Sequence, residues 1–249
     1  MTVHFGQQSL ISQTCCWKGK VPASVQGALF GANLQAIAKK TGGIRPIAVG
    51  YVWRRLAAKV ACSHVKEAAT GLLAPRQLGF GISGGAEAAV RSARRYMENT
   101  SSGKLLVKID FRNAFNTVRR DFVLEAVAKY YPQLMPCATL TMACSSDLQF
   151  GDFVLQSEEG AQQGDPLGPL YFCLACKELL ESLKSELVSD TLMISHAVMM
   201  QQFVLDIIII IIIIETNNNN NSPQCQLDAV NVALFNELYE RVDTDVMHA

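Results

Sequence analysis

From Leu105 the chain reads Leu-Leu-Val-Lys-Ile and then stops on Asp110. Aliphatic and β-branched residues packed this densely suit a central strand, and a central strand needs neighbours on both edges and helices against its faces. The run therefore commits the chain to a mixed α/β core with a carboxylate left at a strand end. At 249 residues, 49% of them apolar, the chain is long enough to bury such a core.

Around this strand the pattern is readable in both directions. Downstream, Thr117 is placed to cap a helix whose Val118, Phe122, Val123, Ala126, Val127 and Tyr130 share one face, and Pro132 stops it. Residues 148–155 read as a tight hairpin around Gly151-Asp152. The stretch Gly160-Ala161-Gln162-Gln163-Gly164-Asp165-Pro166 is a turn leading into a proline-initiated helix that runs through Leu170, Leu174 and Leu180 toward Leu187. Upstream, residues 28–40 are expected to form a helix closed by Gly42-Gly43. After Arg45, the three- and four-residue spacing of Val49, Val52, Leu56 and Val60 predicts an amphipathic helix with its arginines on the opposite face.

Charge is divided unevenly. Residues 1–120 hold 18 Lys+Arg against 4 Asp+Glu, a net of +14, and residues 121–249 hold the mirror image, −14, so the chain as a whole is neutral. A basic half points to contact with a polyanion; two lobes of opposite charge attracting each other would read the same way. Arg45, Arg54, Arg55, Lys59, Lys66 and Arg76 have only Glu67 among them, which predicts a solvated cationic surface.

Several suggestive patterns have plainer explanations. Residues 79–85, Gly-Phe-Gly-Ile-Ser-Gly-Gly, fit both a dinucleotide-binding and a nucleophile-elbow pattern, yet both need a buried strand immediately before the glycines. Pro75-Arg76-Gln77 interrupts any such strand, so the glycines read as a turn before a helix over 86–98. Cys173 and Cys176 have CxxC spacing with no second pair at zinc-site distance, and read as small apolar residues on a helix. Eight cysteines without a secretory start predict free thiols and an intracellular protein of nucleus or cytoplasm, not a secreted one.

Beyond Val188 the composition changes. Ile207 to Ile214 are eight isoleucines and Asn217 to Asn221 five asparagines. Eight apolar residues cannot span a bilayer, so no membrane partner is expected, and an exposed isoleucine run is an aggregation hazard. Residues 227–246 are expected to be helical.

Asp110 with Phe115 five residues later, followed by Gln163-Gly164-Asp165-Pro166-Leu167-Gly168-Pro169, resembles the first two palm motifs of the reverse transcriptases of non-LTR retrotransposons. Gln77-Leu78-Gly79-Phe80 and Arg45-Pro46-Ile47 are similar to segments of the family's fingers. The resemblance implies an α+β right-hand polymerase fold, fingers and palm only, with an antiparallel sheet packed on helices and no thumb. It divides the chain into an extension (1–43), fingers (44–103), palm (104–200), a low-complexity tract (201–224) and a tail (225–249). It implies RNA-templated DNA synthesis, with RNA template, DNA primer and dNTP as partners and two Mg2+ ions as cofactor. Asp110 and the backbone carbonyl of Phe111 would hold metal, Phe115 would pack under the incoming sugar, Gln163 and Gly164 would lie beside nucleotide and template base, and Arg45 would belong to the fingers.

The third motif should be an aromatic-x-Asp-Asp on a hairpin. Two partial candidates exist, Asp190 in Ser189-Asp190-Thr191-Leu192 and Asp206 in Phe203-Val204-Leu205-Asp206-Ile207, and neither offers adjacent aspartates. If Asp206 is the remnant, Ile207 occupies the second position. The expectation is a decayed copy with impaired activity; its rivals are a nucleic-acid-binding remnant using the basic half, and a chain that does not fold because the palm lacks its closing hairpin.

Overall fold

The computed structural model describes residues 20–38, 43–98, 104–111, 114–186, 193–198, 208–215 and 242–248; in residues 104–111, 193–198, 208–215 and 242–248 it is the backbone pairing that is described. They fall into two compact units, each assembled from two stretches of chain: Met1–Val65 with Val118–Phe172, and Lys66–Thr117 with Cys173–Ala249.

In the first unit, helix α1 (Ala23–Phe30) follows Pro22 and ends at Gly31, whose extended backbone leads into strand β1 (Ala32–Ala38). The helix expected over 28–40 is therefore corrected: the helix stops two residues after it was expected to begin. The apolar run after Gly31 is satisfied better by antiparallel pairing with β2 (Ile44–Gly50), in register from Ala32↔Gly50 to Ala38↔Ile44. In the sheet order β2-β1-β4-β5, β2 is an edge strand, where Pro46 costs no ladder bond. Strand β4 (Ser146–Phe150) runs parallel to β1 and closes the expected hairpin with β5 (Phe153–Ser157), Phe150 facing Phe153 across the two-residue loop.

Helix α2 (Val52–Leu73) begins in the first unit and finishes in the second. It reverses the expected amphipathic face. Val52, Leu56 and Val60 are 62%, 42% and 51% exposed, while Arg54 is 4% exposed and Ala57, Ala58, Ala61 and Val65 are buried. Val49 ends up on β2. Counting Val and Leu as the buried face ignores that alanines let a helix approach its neighbours closely, and that a buried arginine is tolerable once it finds acceptors. The solvated cationic surface loses Arg54 by the same finding.

A four-residue turn, α4 (Ala114–Thr117), follows α3 (Gly85–Glu98) and β3 (Lys104–Phe111) in the chain and precedes α5 (Arg120–Tyr130), which has Arg119 at its N-cap. Thr117 therefore belongs to the earlier turn, and Arg119 takes the N-cap position expected of it. The expected apolar face holds, with Val118, Val123, Ala126 and Val127 fully buried. Pro132 starts a 3-10 turn into α6 (Met135–Met142), and α7 (Gly168–Glu186) starts two residues after Pro166. Cys173 and Cys176 are buried on α7, and burial pushes the Cys173 thiol well up.

The second unit contains α3 (Gly85–Glu98), which the glycine-rich turn precedes, and a second four-stranded sheet. Strands β3 (Lys104–Phe111), β6 (Met193–Val198), β7 (Ile208–Glu215) and β8 (Val242–His248) lie in the order β6-β7-β3-β8, each antiparallel to its neighbour. Helix α3 packs on β6.

Two expectations are corrected here. The isoleucine tract is a central strand, paired with β3 on one side and β6 on the other, and β6–β7 is the closing hairpin that the palm was expected to lack. A β-branched homopolymer is poor as a helix but well suited to a two-sided strand. In the tail, Val242–His248 is a strand rather than helix, as its Val-Asp-Thr-Asp-Val alternation allows. The remainder of the expected tail helix lies outside the described residues. No described helix is long and apolar enough to cross a membrane.

Candidate functional site

The first unit presents the turn 162–165. Its frame is the backbone bond from Asp165 N to Gln162 O at 3.0 Å, which puts Gln163 and Gly164 at the two central positions. Gln163 O accepts from Ala48 N at 2.8 Å, tying the turn to β2. Gly164 sits at φ +123°, and a Cβ there would lie 2.5 Å from Ala48 O, so only glycine fits.

Below the turn, Gln162 donates from Nε2 to Phe30 O (3.0 Å) and Ser146 Oγ (2.8 Å) and accepts from Arg54 at 2.8 Å. The buried Asp165 carboxylate accepts from Leu167 N at 3.0 Å and so caps the entry to α7. Arg120 fixes the approach: Nε donates to Gly160 O at 2.9 Å, and its terminal nitrogens donate to Cys144 O (3.1 Å), Ser157 Oγ (3.0 Å) and Glu159 O (3.1 Å). Burial lowers the Arg120 pKa, and Glu158 and Glu159 work against that shift. Arg45 is half-buried on β2, in register with Ile37.

The second unit presents Asp110, next to last in β3. Its register partners are Ile209 on β7 and Asp243 on β8, and Lys108 is paired with Asp245. Like charges at directly opposed positions destabilise a ladder unless something offsets them. Sequence reading missed Asp243 because the tail was taken as helix; the period-two alternation was the available signal. Phe111 closes β3, and Phe115 is half-buried on α4 beside the buried Ala114.

Asp190 and Asp206 lie outside the described residues, but their neighbours in sequence are placed. Val198 pairs with Ile208, so residues 199–207 connect β6 to β7 at the end of the sheet where β3 reaches Asp110. Asp206 is three residues before Ile209. Met193, three residues after Asp190, pairs with Ile213, which pairs with Leu106. That is the opposite end of β3, four residues and about 13 Å from Asp110. Among the residues whose side chains are described, no three His, Cys, Asp or Glu could hold a metal ion; Asp110 and Asp243 are not in that set.

The profile of the family "Reverse transcriptase (RNA-dependent DNA polymerase)" matches residues 37–232, most of the chain and both motif segments. This chain belongs to the reverse transcriptase family. The Retrotransposable element SLACS 132 kDa protein of Trypanosoma brucei gambiense is 29% identical over 171 residues, 66% of this chain and 14% of that protein. This reverse transcriptase domain is thus similar to part of a retrotransposon protein and spans a small share of that relative's length. Apo telomerase from Candida tropicalis superimposes with a TM-score of 0.58 at 12% identity over 96% of this chain and 55% of that one. Telomerase from Candida albicans in complex with a TWJ fragment of telomeric RNA gives 0.58 at 10% identity, over 92% of this chain and 43% of that chain. The mixed fingers-and-palm architecture expected from the sequence is the one these structures share. Asp243 lies beyond the residues the family profile matches.

Proposed function

We propose that this reverse transcriptase domain keeps the frame for RNA-templated DNA synthesis and its first metal-binding carboxylate, but has little or no polymerase activity of its own. One observation carries the reading. The connection at the Asp110 end of the sheet, residues 199–207, contains a single acidic residue, Asp206. Counted from Phe203, the aromatic-x-Asp-Asp pattern falls on Leu205 and Asp206; counted from Asp206, it falls on Asp206 and Ile207. Either way an aliphatic side chain stands at one aspartate position. Asp190 is set aside as the remnant because Met193, three residues after it in sequence, pairs with Ile213 opposite Leu106 rather than near Asp110.

Magnesium takes hard oxygen ligands, and Asp110, the Phe111 carbonyl and Asp243 at this end of the sheet are of that type, as is Asp206, three residues before Ile209 in sequence. Bound there, a pair of ions would neutralise the triphosphate and activate the primer hydroxyl. With Leu205 or Ile207 in place of a carboxylate, the second ion is poorly held, and each tenfold loss of rate is about 1.4 kcal/mol of transition-state stabilisation. Phe115 is assigned to the floor under the incoming sugar, where a ring excludes a 2′-hydroxyl. Gln163 and Gly164 are assigned to the dNTP and template base, and Arg45 to the fingers' contact with template. The free thiols of Cys144 and Cys173 support a place of action inside the cell.

Primer extension on a homopolymeric RNA template with Mg2+ tests the reading. Wild type is expected to extend no better than Asp110→Ala; efficient extension that Asp110→Ala abolishes would overturn it.

Exposed cations in the second unit, Lys66, Arg91, Arg94 and Arg95, favour a second reading in which the domain holds nucleic acid without copying it. Affinity for a primer–template would then fall with a log–log salt slope of about −3 to −4, one counterion released per contact. A slope near zero would count against binding through this surface.

A further inference from the structure

We infer that Arg54 is a positioning residue for the nucleotide-side turn, acting through Gln162. The inference rests on the reading that Gln163 and Gly164 meet the dNTP and template.

Arg54 is a guanidinium 4% exposed, and among the described residues no carboxylate pairs with it. Its partners are neutral. One terminal nitrogen donates to Phe30 O, the last carbonyl of α1, at 2.6 Å, and the other donates to Gln162 Oε1 at 2.8 Å. The α1 C-terminus carries partial negative charge that suits a cation. Gln162 Nε2 returns to the same Phe30 carbonyl at 3.0 Å, so Arg54, Gln162 and Phe30 O close a triangle. Among the described residues, Arg54 Nε is buried without a partner.

A buried cation with one orphaned donor and no counter-ion is a poor device for stability. Apolar replacements of buried charges are often neutral or stabilising. What the arrangement does is fix Gln162 at both ends. Its side chain is held by Arg54, Phe30 O and Ser146, and its own carbonyl holds Asp165 N across Gln163 and Gly164. Rotation of Gln162 would therefore move both central residues of the turn.

Gly50 supports this assignment, because a Cβ there would collide with the Arg54 guanidinium. The strand residue at that position has to be glycine for the arginine to reach the turn. Lysine cannot replace the planar fork, since one ammonium cannot span two acceptors in fixed geometry.

The test uses Arg54→Met and Arg54→Lys in the full chain, with Gln163→Ala as reference. Two readouts are taken: amide exchange at Ala48 and Asp165, whose N–H groups bond to the turn, and dNTP-dependent stabilisation of a complex with a dideoxy-terminated primer–template. Both Arg54 variants are expected to speed exchange at the two amides about tenfold or more, the worth of one charge-assisted hydrogen bond. Exchange in the β4–β5 hairpin should stay unchanged, and Arg54→Met should weaken dNTP affinity as much as Gln163→Ala does. A merely structural role would lower melting temperature and quicken exchange in both places alike.

Unchanged exchange at Ala48 and Asp165, or unchanged dNTP affinity where Gln163→Ala loses it, overturns the inference. If wild type shows no dNTP-dependent stabilisation while exchange still responds to Arg54, the clamp is real. The assignment of Gln163 and Gly164 to nucleotide then fails, and the role given to Arg54 fails with it.

Discussion

The turn at Gln163 and the sheet at Asp110 are held by opposite means. In the turn, several polar groups each have a distinct partner: Gln162 with Arg54, Phe30 O and Ser146, Gln163 O with Ala48 N, Asp165 with Leu167 N. A shifted turn would have to give up these specific partners. In the sheet, β3 is paired with a strand in which Ile209 to Ile214 are identical, so sliding β7 by two residues would exchange isoleucine for isoleucine along most of its length. Within the β3–β7 pairing, only Lys104↔Glu215 at one end departs from the isoleucine repeat and marks the register. A strand can be built from any β-branched sequence, but its alignment cannot, and here alignment decides where the carboxylates fall.

The largest expected effect is in the turn. Gly164→Val must adopt φ +123° against Ala48 O and should destabilise the first unit by about 3 kcal/mol in urea unfolding. A loss under about 1 kcal/mol would show the turn to be adaptable, erasing the contrast with the sheet. Arg120→Ala comes next, at about 2 kcal/mol, because it strips donors from four acceptors, three of them backbone carbonyls at residues 144, 159 and 160.

Glu215→Ala should cost under about 1 kcal/mol, yet loosen the register. With cysteines at Leu106 and Ile213, which are paired, oxidation should cross-link the parent efficiently and the Glu215→Ala protein incompletely. Equal yields would show that the isoleucine ladder fixes its own register.

The smallest effect is on α7. Glu181 is held below the usual carboxylate range by the hydrogen bond from Lys177 at 3.0 Å, with Arg76 at 2.6 Å adding to it. Its contribution is complete above the unfolded pKa, near 4.5, and is lost as pH falls through the lower folded value. The Glu181 side chain is 42% exposed and screened by solvent, so Glu181→Gln should remove under about 1 kcal/mol at neutral pH and nothing in strong acid.

Much of the turn was legible because its chemistry is local: Pro166, Gly164 and the hairpin before it are short-range signals. The buried face of α2 was not. Alanines and Arg54 carry it, and neither ranks as core until the acceptors at Phe30 and Gln162, 24 and 108 residues away, are known. Asp110 was legible as a strand end, but the strands beside it were not. Repetition hid β7, and a helix-compatible stretch of Leu and Val before residue 242 drew attention from the Val-Asp-Thr-Asp-Val alternation of β8.

The central claim is that the polymerase frame is intact and short of one carboxylate beside Asp110. Primer extension by Leu205→Asp, with Ile207→Asp in parallel, tests it most directly. One of the two is expected to raise Mg2+-dependent extension at least about a hundredfold over wild type, a gain of about 2.7 kcal/mol, and Asp110→Asn should cancel that gain. If both variants bind primer–template as wild type does and neither extends it, the proposed loss of activity does not come from the missing carboxylate.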